Sequence, residues 1–246
     1  MKLLGVIMTY NDDDCLHSAI ESLLESNHYV WVFDHGSIDS TKKVVDKYPK
    51  VTYQYVDRTT YPNFMKPGQD NIHHFITDFI IKKQGEFDWV TWIDSDEIIC
   101  SMPEDSKSFY ELINDAYRNG YDGIPGYLRE YWATEGDDPK VSDFRNRITR
   151  FKNKGCGYCG GLNRTWRIDC TPVMTEGTLR HTFFNGLQLY PKPHLLKHYP
   201  IRTNGQGYQK INVDRQRYHG AGAHYEERGL ANTTKLLKPK GWGQEN

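Results

Sequence analysis

The chain has 246 residues, of which 37% are hydrophobic and 21 are glycine, so it carries enough apolar material for one sizeable core. Its 31 basic and 32 acidic side chains give a formal net charge of −1, which excludes a general attraction to nucleic acid or to anionic membranes. Its apolar runs have the length of strands, far short of the roughly 20 residues that span a bilayer, and no signal-peptide pattern opens the chain. We therefore expect a single-domain cytoplasmic protein with no transmembrane segment and no nucleic-acid partner.

Short apolar runs alternate with amphipathic helical patterns in the first hundred residues. The alternation predicts strands over residues 3–8, 29–33, 51–56 and 89–93, and helices over residues 13–25, 37–48 and 69–83. Strands that alternate with helices are typical of a mostly parallel sheet flanked by helices on both faces. The fold class that we predict is therefore α/β, with a Rossmann-like sheet.

The pattern loosens beyond about residue 120. Strand-like pieces at residues 123–129, 147–152 and 165–168 are separated by loops rich in glycine and proline. Residues 235–246 contain proline, glycine and tryptophan and predict an irregular tail. Such a looser half usually carries specificity, so we expect residues 101–234 to face the second substrate.

Polar residues follow three of the predicted strands at the point where each strand ends. They are Thr9, Tyr10 and Asn11 after the first strand, Asp34 and His35 after the second, and Asp94, Ser95, Asp96 and Glu97 after the fourth. Ligands of open parallel sheets bind beyond the carboxyl ends of the strands. Any one of these groups alone is explained by a turn and a helix cap, but three groups at one edge predict a binding site.

The strongest group is the one after the fourth strand, where an apolar run leads directly into three carboxylates within four positions. Alternate residues of an extended strand point to the same side, so Asp94 and Asp96 are expected to face one ligand. Mg²⁺ and Mn²⁺ favour carboxylate oxygens together with substrate phosphates, and they stabilise a departing diphosphate as Lewis acids. The alternative is an acidic turn without a ligand.

In order and spacing, the three groups resemble motifs of the family 2 glycosyltransferases of the GT-A fold. The second motif of that family commonly reads Asp-Asp-Gly-Ser-x-Asp, and this chain has Asp34-His35-Gly36-Ser37-Ile38-Asp39. The later run from His198 to Arg202 resembles a His-Tyr segment of a branch in which the Asp-x-Asp motif is followed by Glu. The resemblance covers the first hundred residues well and extends more loosely to about residue 211.

The resemblance implies a role for individual residues. Thr9, Tyr10, Asn11 and Asp34 would hold the nucleotide, with Asp34 accepting a hydrogen bond from the base. Asp94 and Ser95 would lie near the ribose or the sugar, while Asp96 and His198 would bind Mn²⁺ or Mg²⁺. His35 replaces the family's usual Asp, which puts ribose recognition at that position in doubt. The further candidates for the sugar or the pyrophosphate are Arg58, Lys66, Gln69 and Asn71.

An inverting transferase also needs a carboxylate that deprotonates the acceptor hydroxyl. The resemblance does not extend to the family's usual Glu-Asp pair. Glu176 is the first candidate for this base, and Asp143 and Glu135 follow it. Each of them is equally explained as a solvated surface acid.

The resemblance therefore implies a metal-dependent hexosyl- or deoxyhexosyltransferase. Its expected partners are a nucleoside-diphosphate sugar and a carbohydrate or glycosylated acceptor. One alternative is a sugar-phosphate nucleotidyltransferase, which would want a basic glycine-rich loop after the first strand. The acidic sequence that follows Thr9 argues against it. The other alternative is a non-catalytic module that binds nucleotide or carbohydrate. The substitution at His35 and the lack of a match to the family's Glu-Asp pair favour it.

Overall fold

The computed structural model describes residues 1–62, 70–134, 136–138, 140–156, 164–171, 187–210 and 243–244. The chain forms two compact units. Unit 1 comprises Met1–Leu128 and Gly155–Leu196, and unit 2 comprises Arg129–Lys154 and Lys197–Asn246. Each unit is assembled from two separate stretches of sequence, whereas the sequence predicts one domain whose halves divide near residue 100.

Unit 1 is built on a six-stranded sheet with helices on both faces. The sheet consists of β1 (Leu3–Thr9), β2 (His28–Asp34), β3 (Val51–Tyr55), β4 (Trp89–Asp94), β6 (Gly123–Ile124) and β9 (Thr165–Arg167). Unit 1 also contains the strand β5 (Glu97–Ser101), outside this sheet, and the helices α1 (Leu16–Glu25), α2 (Thr41–Val45), α3 (Ile72–Lys82) and α4 (Phe109–Arg118). The strand order in the sheet is β3-β2-β1-β4-β9-β6. The first four strands run parallel, and β9 is antiparallel to both β4 and β6. This mostly parallel sheet confirms the predicted α/β class.

The central strand β1 is buried along its whole length, so its alternate residues enter two separate cores. Leu3 and Ile7 pack with the buried faces of α1 and α4. Leu4 and Val6 pack on the opposite face, with the apolar side of α3. Helices therefore cover both faces of the sheet, and loops remain only at the strand ends.

Unit 2 contains a second, smaller sheet. Its elements are the end of β7 (Gly126–Trp132), α5 (Phe144–Arg147), β8 (Arg150–Cys156), the end of β10 (His194–Ile201), α6 (Asn204–Gln209) and β11 (Gly243–Gln244). In unit 2 the strands follow the order β11-β8-β7-β10. β11 lies in the tail for which the sequence predicts irregular structure, and it pairs antiparallel with β8. No helix in the described part of the chain is long and apolar enough to cross a membrane.

Three sequence predictions are wrong in detail. The strand predicted at residues 123–129 is two strands, because Pro125 separates them and has no N–H to donate to a neighbouring strand. The piece predicted as a strand at residues 147–152 begins with the last residue of α5 and continues into β8 after a break. The second predicted helix is only the five residues of α2, and at its start the Asp39 carboxylate accepts hydrogen bonds from the N–H and the hydroxyl of Thr41.

Candidate nucleotide and metal site at the carboxyl edge of the sheet

The three polar groups meet at one edge of the parallel sheet. Thr9 at the end of β1 is in register with Asp34 at the end of β2, and Met8 is in register with Asp94 at the end of β4. The loops that leave these three neighbouring strands therefore begin side by side. This is the convergence that the sequence predicts, and it places the ends of three motifs in unit 1 within one small area.

Thr9 and Asp34 form the floor of this area. Both are 2% exposed. The Asp34 carboxylate accepts a hydrogen bond from the Ser37 backbone N–H (2.8 Å) and another from the Tyr53 hydroxyl (2.7 Å). The Thr9 hydroxyl is buried without a hydrogen-bond partner among the described residues. An unsatisfied buried hydroxyl costs free energy, so Thr9 is an unexplained polar group at the strand end.

Asn11 joins the loop after β1 to the loop after β2. Its backbone lies in the left-handed region, with φ 51°, which asparagine tolerates better than most residues. Its N–H donates to the Ser37 hydroxyl (2.9 Å), and its side-chain oxygen accepts from the Ile38 N–H (2.9 Å). The two loops are thus held together by backbone and side-chain bonds before any ligand binds.

His35 points into the protein and connects a third loop to the site. Burial, which outweighs the opposing effect of a hydrogen bond to Tyr61, lowers the pKa of His35 to about 4. The ring is therefore neutral at pH 7, and its Nε2–H donates to the Tyr61 carbonyl at 2.6 Å. The same loop places the Arg58 guanidinium 3.7 Å from the centroid of the Tyr10 ring, which is a cation–π contact.

Residues 94–97, here called the acidic turn, connect β4 to β5 and are held to the start of the chain through Ser95. The Ser95 N–H donates to the Met8 carbonyl (3.0 Å), and its hydroxyl donates to the Asp12 carboxylate (2.7 Å). The Cys15 thiol donates to the Ser95 carbonyl at 3.2 Å. Every polar group of Ser95 therefore has a protein partner, so we assign this residue to the support of the turn.

The carboxylates of the acidic turn differ in their surroundings. The Asp94 side chain is 26% exposed, whereas Asp96 and Glu97 are buried. Glu97 accepts hydrogen bonds from the Asp94 N–H (3.0 Å) and from Nη2 of Arg164, whose guanidinium also lies 3.6 Å from Asp94. Burial alone would lower the pKa of Arg164, but the charges of Glu97 and Asp94 outweigh it and raise that pKa, so the guanidinium stays protonated.

The donor atoms of this turn suit a hard divalent cation. Mg²⁺ and similar ions are commonly held by one or two carboxylates, with substrate phosphates and water completing the coordination. Asp94 and Asp96 offer such oxygens, and Asp94 is open to solvent. Among the described residues, one group of three potential ligands lies within 4.8 Å, formed by Asp12, Asp14 and Cys15. The thiol of that group is buried and bonded to backbone carbonyls, so we assign the group to loop structure.

Two other predicted residues lie in unit 2. Nδ1 of His198, in β10, is 3.7 Å from the buried Glu130 carboxylate of β7. Asp143 caps α5 by accepting from the Arg145 N–H, and it forms an ion pair with the Arg145 guanidinium at 2.8 Å. Asp143 therefore has structural partners. To act as a base, its carboxylate would have to exchange these contacts for one with the acceptor hydroxyl.

Three predicted site residues lie outside the described residues, namely Lys66, Gln69 and Glu176, and so does Glu135. Two residues with evident electrostatic roles were not predicted from the sequence. Arg164 and Glu130 are each buried beside a predicted ligand, but neither belongs to a motif. Only the packing of distant strands brings them to these positions, so no local sequence signal identifies them.

No protein-family model matches the sequence, and no curated protein matches it. In structure, the chain is similar to residues 1–349 of S. aureus TarS, with a TM-score of 0.46 and 17% identity over 94% of this chain and 71% of that one. It is also similar to glucosyl-3-phosphoglycerate synthase from Mycobacterium tuberculosis in complex with Mn²⁺, UDP and glucosyl-3-phosphoglycerate (TM-score 0.36, 16% identity, 69% and 57% coverage). A third similar structure is that of a "putative nucleotide-diphospho-sugar transferase" from Desulfovibrio desulfuricans G20 (TM-score 0.41, 11% identity, 96% and 100% coverage).

Proposed function

We propose that the chain is a glycosyltransferase that moves a sugar from a nucleoside-diphosphate sugar to an acceptor hydroxyl with the help of Mn²⁺ or Mg²⁺. One observation carries the proposal. Three neighbouring parallel strands bring together three kinds of group where they end. They are a hydroxyl at Thr9 that has no partner in the described part of the chain, an ordered carboxylate at Asp34 and two carboxylates at Asp94 and Asp96. Acceptors for a base or ribose and ligands for a diphosphate-bound cation thus lie at the same sheet edge.

Each group has a defined task in this proposal. Asp34 keeps its orientation through Ser37 and Tyr53, and it would accept a hydrogen bond from the nucleotide base. Thr9 and Tyr10 would border the nucleoside, and Asn11 would keep their loop closed against the loop after β2. His35 would act through the loop that carries Arg58, since its Nε2–H is bonded to the Tyr61 carbonyl.

The cation, when bound, would supply Lewis-acid stabilisation of the departing nucleoside diphosphate. Asp96 would hold it, with Asp94 beside the ribose or the sugar. The candidates for the base that accepts the proton of the acceptor hydroxyl are Glu176 and Asp143. Inversion at the sugar carbon would follow from attack by that hydroxyl opposite the leaving diphosphate.

The proposal is tested by thermal unfolding with UDP-, GDP-, dTDP- and CDP-sugars, each with and without Mn²⁺. A ligand at a hundred times its Kd stabilises a protein by about 2.7 kcal/mol, which for a chain of this size raises Tm by roughly 5–10 °C. We expect one nucleotide class to give this shift, and we expect its Mn²⁺-dependent part to disappear in Asp96→Asn. The same mixtures are assayed for release of free nucleoside diphosphate.

A matched control is Glu86→Gln, which removes an exposed carboxylate just before β4, at the opposite end of that strand. It should keep both the shift and its metal dependence. A shift without nucleotide release on any acceptor would favour a non-catalytic binding module. The absence of a shift with every donor would refute the proposed function.

A further inference from the structure

Arg164 is a buried cation at the acidic turn that no part of the proposed reaction uses. The residue is 4% exposed and precedes β9. Its carbonyl accepts a hydrogen bond from the Trp92 N–H at 2.8 Å, so its backbone is fixed to β4 two residues before Asp94. A long, flexible side chain is thus attached at a rigid point beside the carboxylates.

The side chain of Arg164 forms part of a chain of hydrogen bonds that closes the turn. Nη2 donates to Oε1 of Glu97, and Oε2 of Glu97 accepts from the Asp94 N–H at 3.0 Å. The same nitrogen lies 3.6 Å from Oδ2 of Asp94. The two oxygens of Glu97 therefore connect the guanidinium to the backbone of the residue that starts the turn.

Two opposite effects on a bound cation follow from this arrangement. A positive charge near the ligands repels the cation, so a guanidinium that only balanced charge would weaken metal binding. A guanidinium that fixes the shape of the turn would strengthen metal binding, because ligands that are already oriented lose little freedom when the ion binds. Changing the geometry while the charge is kept constant separates the two effects.

We propose that Arg164 is a positioning residue that acts through Glu97 to hold Asp94 and Asp96 in the orientation that takes a divalent cation. The inference rests on the proposed function, because it assumes that the acidic turn is the metal site. It assigns Glu97 to the support of the turn and not to the metal. It also predicts that the geometry of the Arg164 side chain matters more than its charge.

The test measures Mn²⁺ binding alone, without nucleotide, by the electron paramagnetic resonance signal of free Mn²⁺. Arg164→Lys keeps the charge but loses the planar fork of the guanidinium, and we expect its Mn²⁺ affinity to fall by about tenfold to a hundredfold. The control Arg167→Lys changes the neighbouring arginine of β9, which pairs with Asp122 and Asp169 away from the turn. That variant should bind Mn²⁺ like the wild type.

A second variant covers the case in which Arg164→Lys does not fold. Replacing both members of a buried pair is often tolerated, so Glu97→Gln combined with Arg164→Met should fold while the total charge of the turn stays the same. We expect at least a tenfold loss of Mn²⁺ affinity in a chain whose circular dichroism matches the wild type. Unchanged or tighter Mn²⁺ binding in either folded variant would overturn the inference, and so would a wild type that binds no Mn²⁺. The proposed function fails separately, when no nucleotide sugar raises Tm either with or without Mn²⁺.

Discussion

His28 is a buried histidine with a hydrogen bond at each ring nitrogen. Nδ1 lies 3.1 Å from the Leu23 carbonyl and Nε2 lies 2.9 Å from the Thr91 hydroxyl. Since a neutral ring has one donor and one acceptor, Nδ1–H donates to Leu23 and Nε2 accepts from Thr91. Burial is the largest effect on this group and lowers the pKa of His28 to about 4. The neutral residue therefore links the end of α1 to β4.

This linkage gives the fold a pH dependence with a definite sign. Between pH 6.5 and pH 4 the unfolded chain binds a proton at His28 that the folded chain does not, so stability is complete above pH 6.5 and falls as the pH decreases. Between pH 7.5 and pH 5 we expect His28 to account for about 2 kcal/mol of the loss in unfolding free energy.

Urea unfolding at the two pH values measures this loss, and the comparison is with His28→Gln, whose side chain stays neutral. The variant should show a decrease that is smaller by about 2 kcal/mol. Equal decreases in the two proteins would mean that His28 has the same pKa in the folded and the unfolded chain. That result would refute this assignment.

The loop after β2 depends on a glycine at position 36. Gly36 has φ 75°, a region that favours glycine, and a Cβ at this position would lie 3.0 Å from Cγ of Arg58. The loop that ends at Tyr61 therefore packs directly on the backbone of the second motif. Gly36→Ala should destabilise the fold by about 1–3 kcal/mol and displace Arg58 from Tyr10.

The measurement for Gly36→Ala combines urea unfolding with nucleotide affinity. We expect both to fall, because the strained loop carries groups assigned to the donor site. A loss of stability with unchanged nucleotide affinity would show that Arg58 and Tyr10 do not contribute to donor binding.

Helix α4 offers the matched contrast, because its start is stabilised far from the sheet edge. Ser108 and Glu111 form a capping box in which each side chain bonds the backbone of the other residue. Ser108→Ala should lower the unfolding free energy by about 1 kcal/mol and leave nucleotide affinity unchanged. A change in affinity would show that stability and donor binding are coupled throughout the fold, which would weaken the interpretation of Gly36→Ala.

At the scale of elements, the positions of strands and helices are predicted well where the apolar periodicity of the sequence is strong. The strands β1, β2 and β4 and the helices α1 and α3 lie within a few residues of their predicted positions. Helix α4 was not predicted, because its sequence is polar and its helical structure depends on its cap and one apolar face. The strand β5 after the acidic turn was not predicted either, since the short apolar run after Glu97 has no clear period.

At the scale of the whole molecule, local patterns cannot predict how distant segments combine. The three strand-end motifs were predictable because each follows its own strand and parallel strands share an edge. Arg164 reaches the acidic turn from 67 positions along the chain, and nothing near it distinguishes it from the other basic residues. Local sequence patterns also cannot predict that each compact unit is assembled from separated segments, because this assembly depends on long-range packing.

All the described residues that we assign to the donor lie in unit 1, so donor binding should protect amides in a defined part of the molecule. We expect a saturating nucleotide with Mn²⁺ to slow hydrogen exchange most in residues 9–15, 34–40 and 94–97, which form the carboxyl edge of the sheet. Residues 2–4 and 86–89, at the opposite ends of β1 and β4, serve as the internal control. They should gain only the protection that follows from the overall increase in stability.

The alternative outcomes are equally definite. Protection that rises only in residues 129–154 would place the nucleotide in unit 2 and refute the assignment of Thr9, Asp34 and Asp94. Protection at the carboxyl edge that persists in Asp96→Asn without Mn²⁺ would show that the nucleoside is held by the loops after β1 and β2, and that the cation acts only on the diphosphate. Three loops contribute to the site, and those after β1 and β2 would contact the nucleoside without the cation. We therefore expect protection without Mn²⁺ for a nucleoside monophosphate, and protection that depends on Mn²⁺ for the diphosphate.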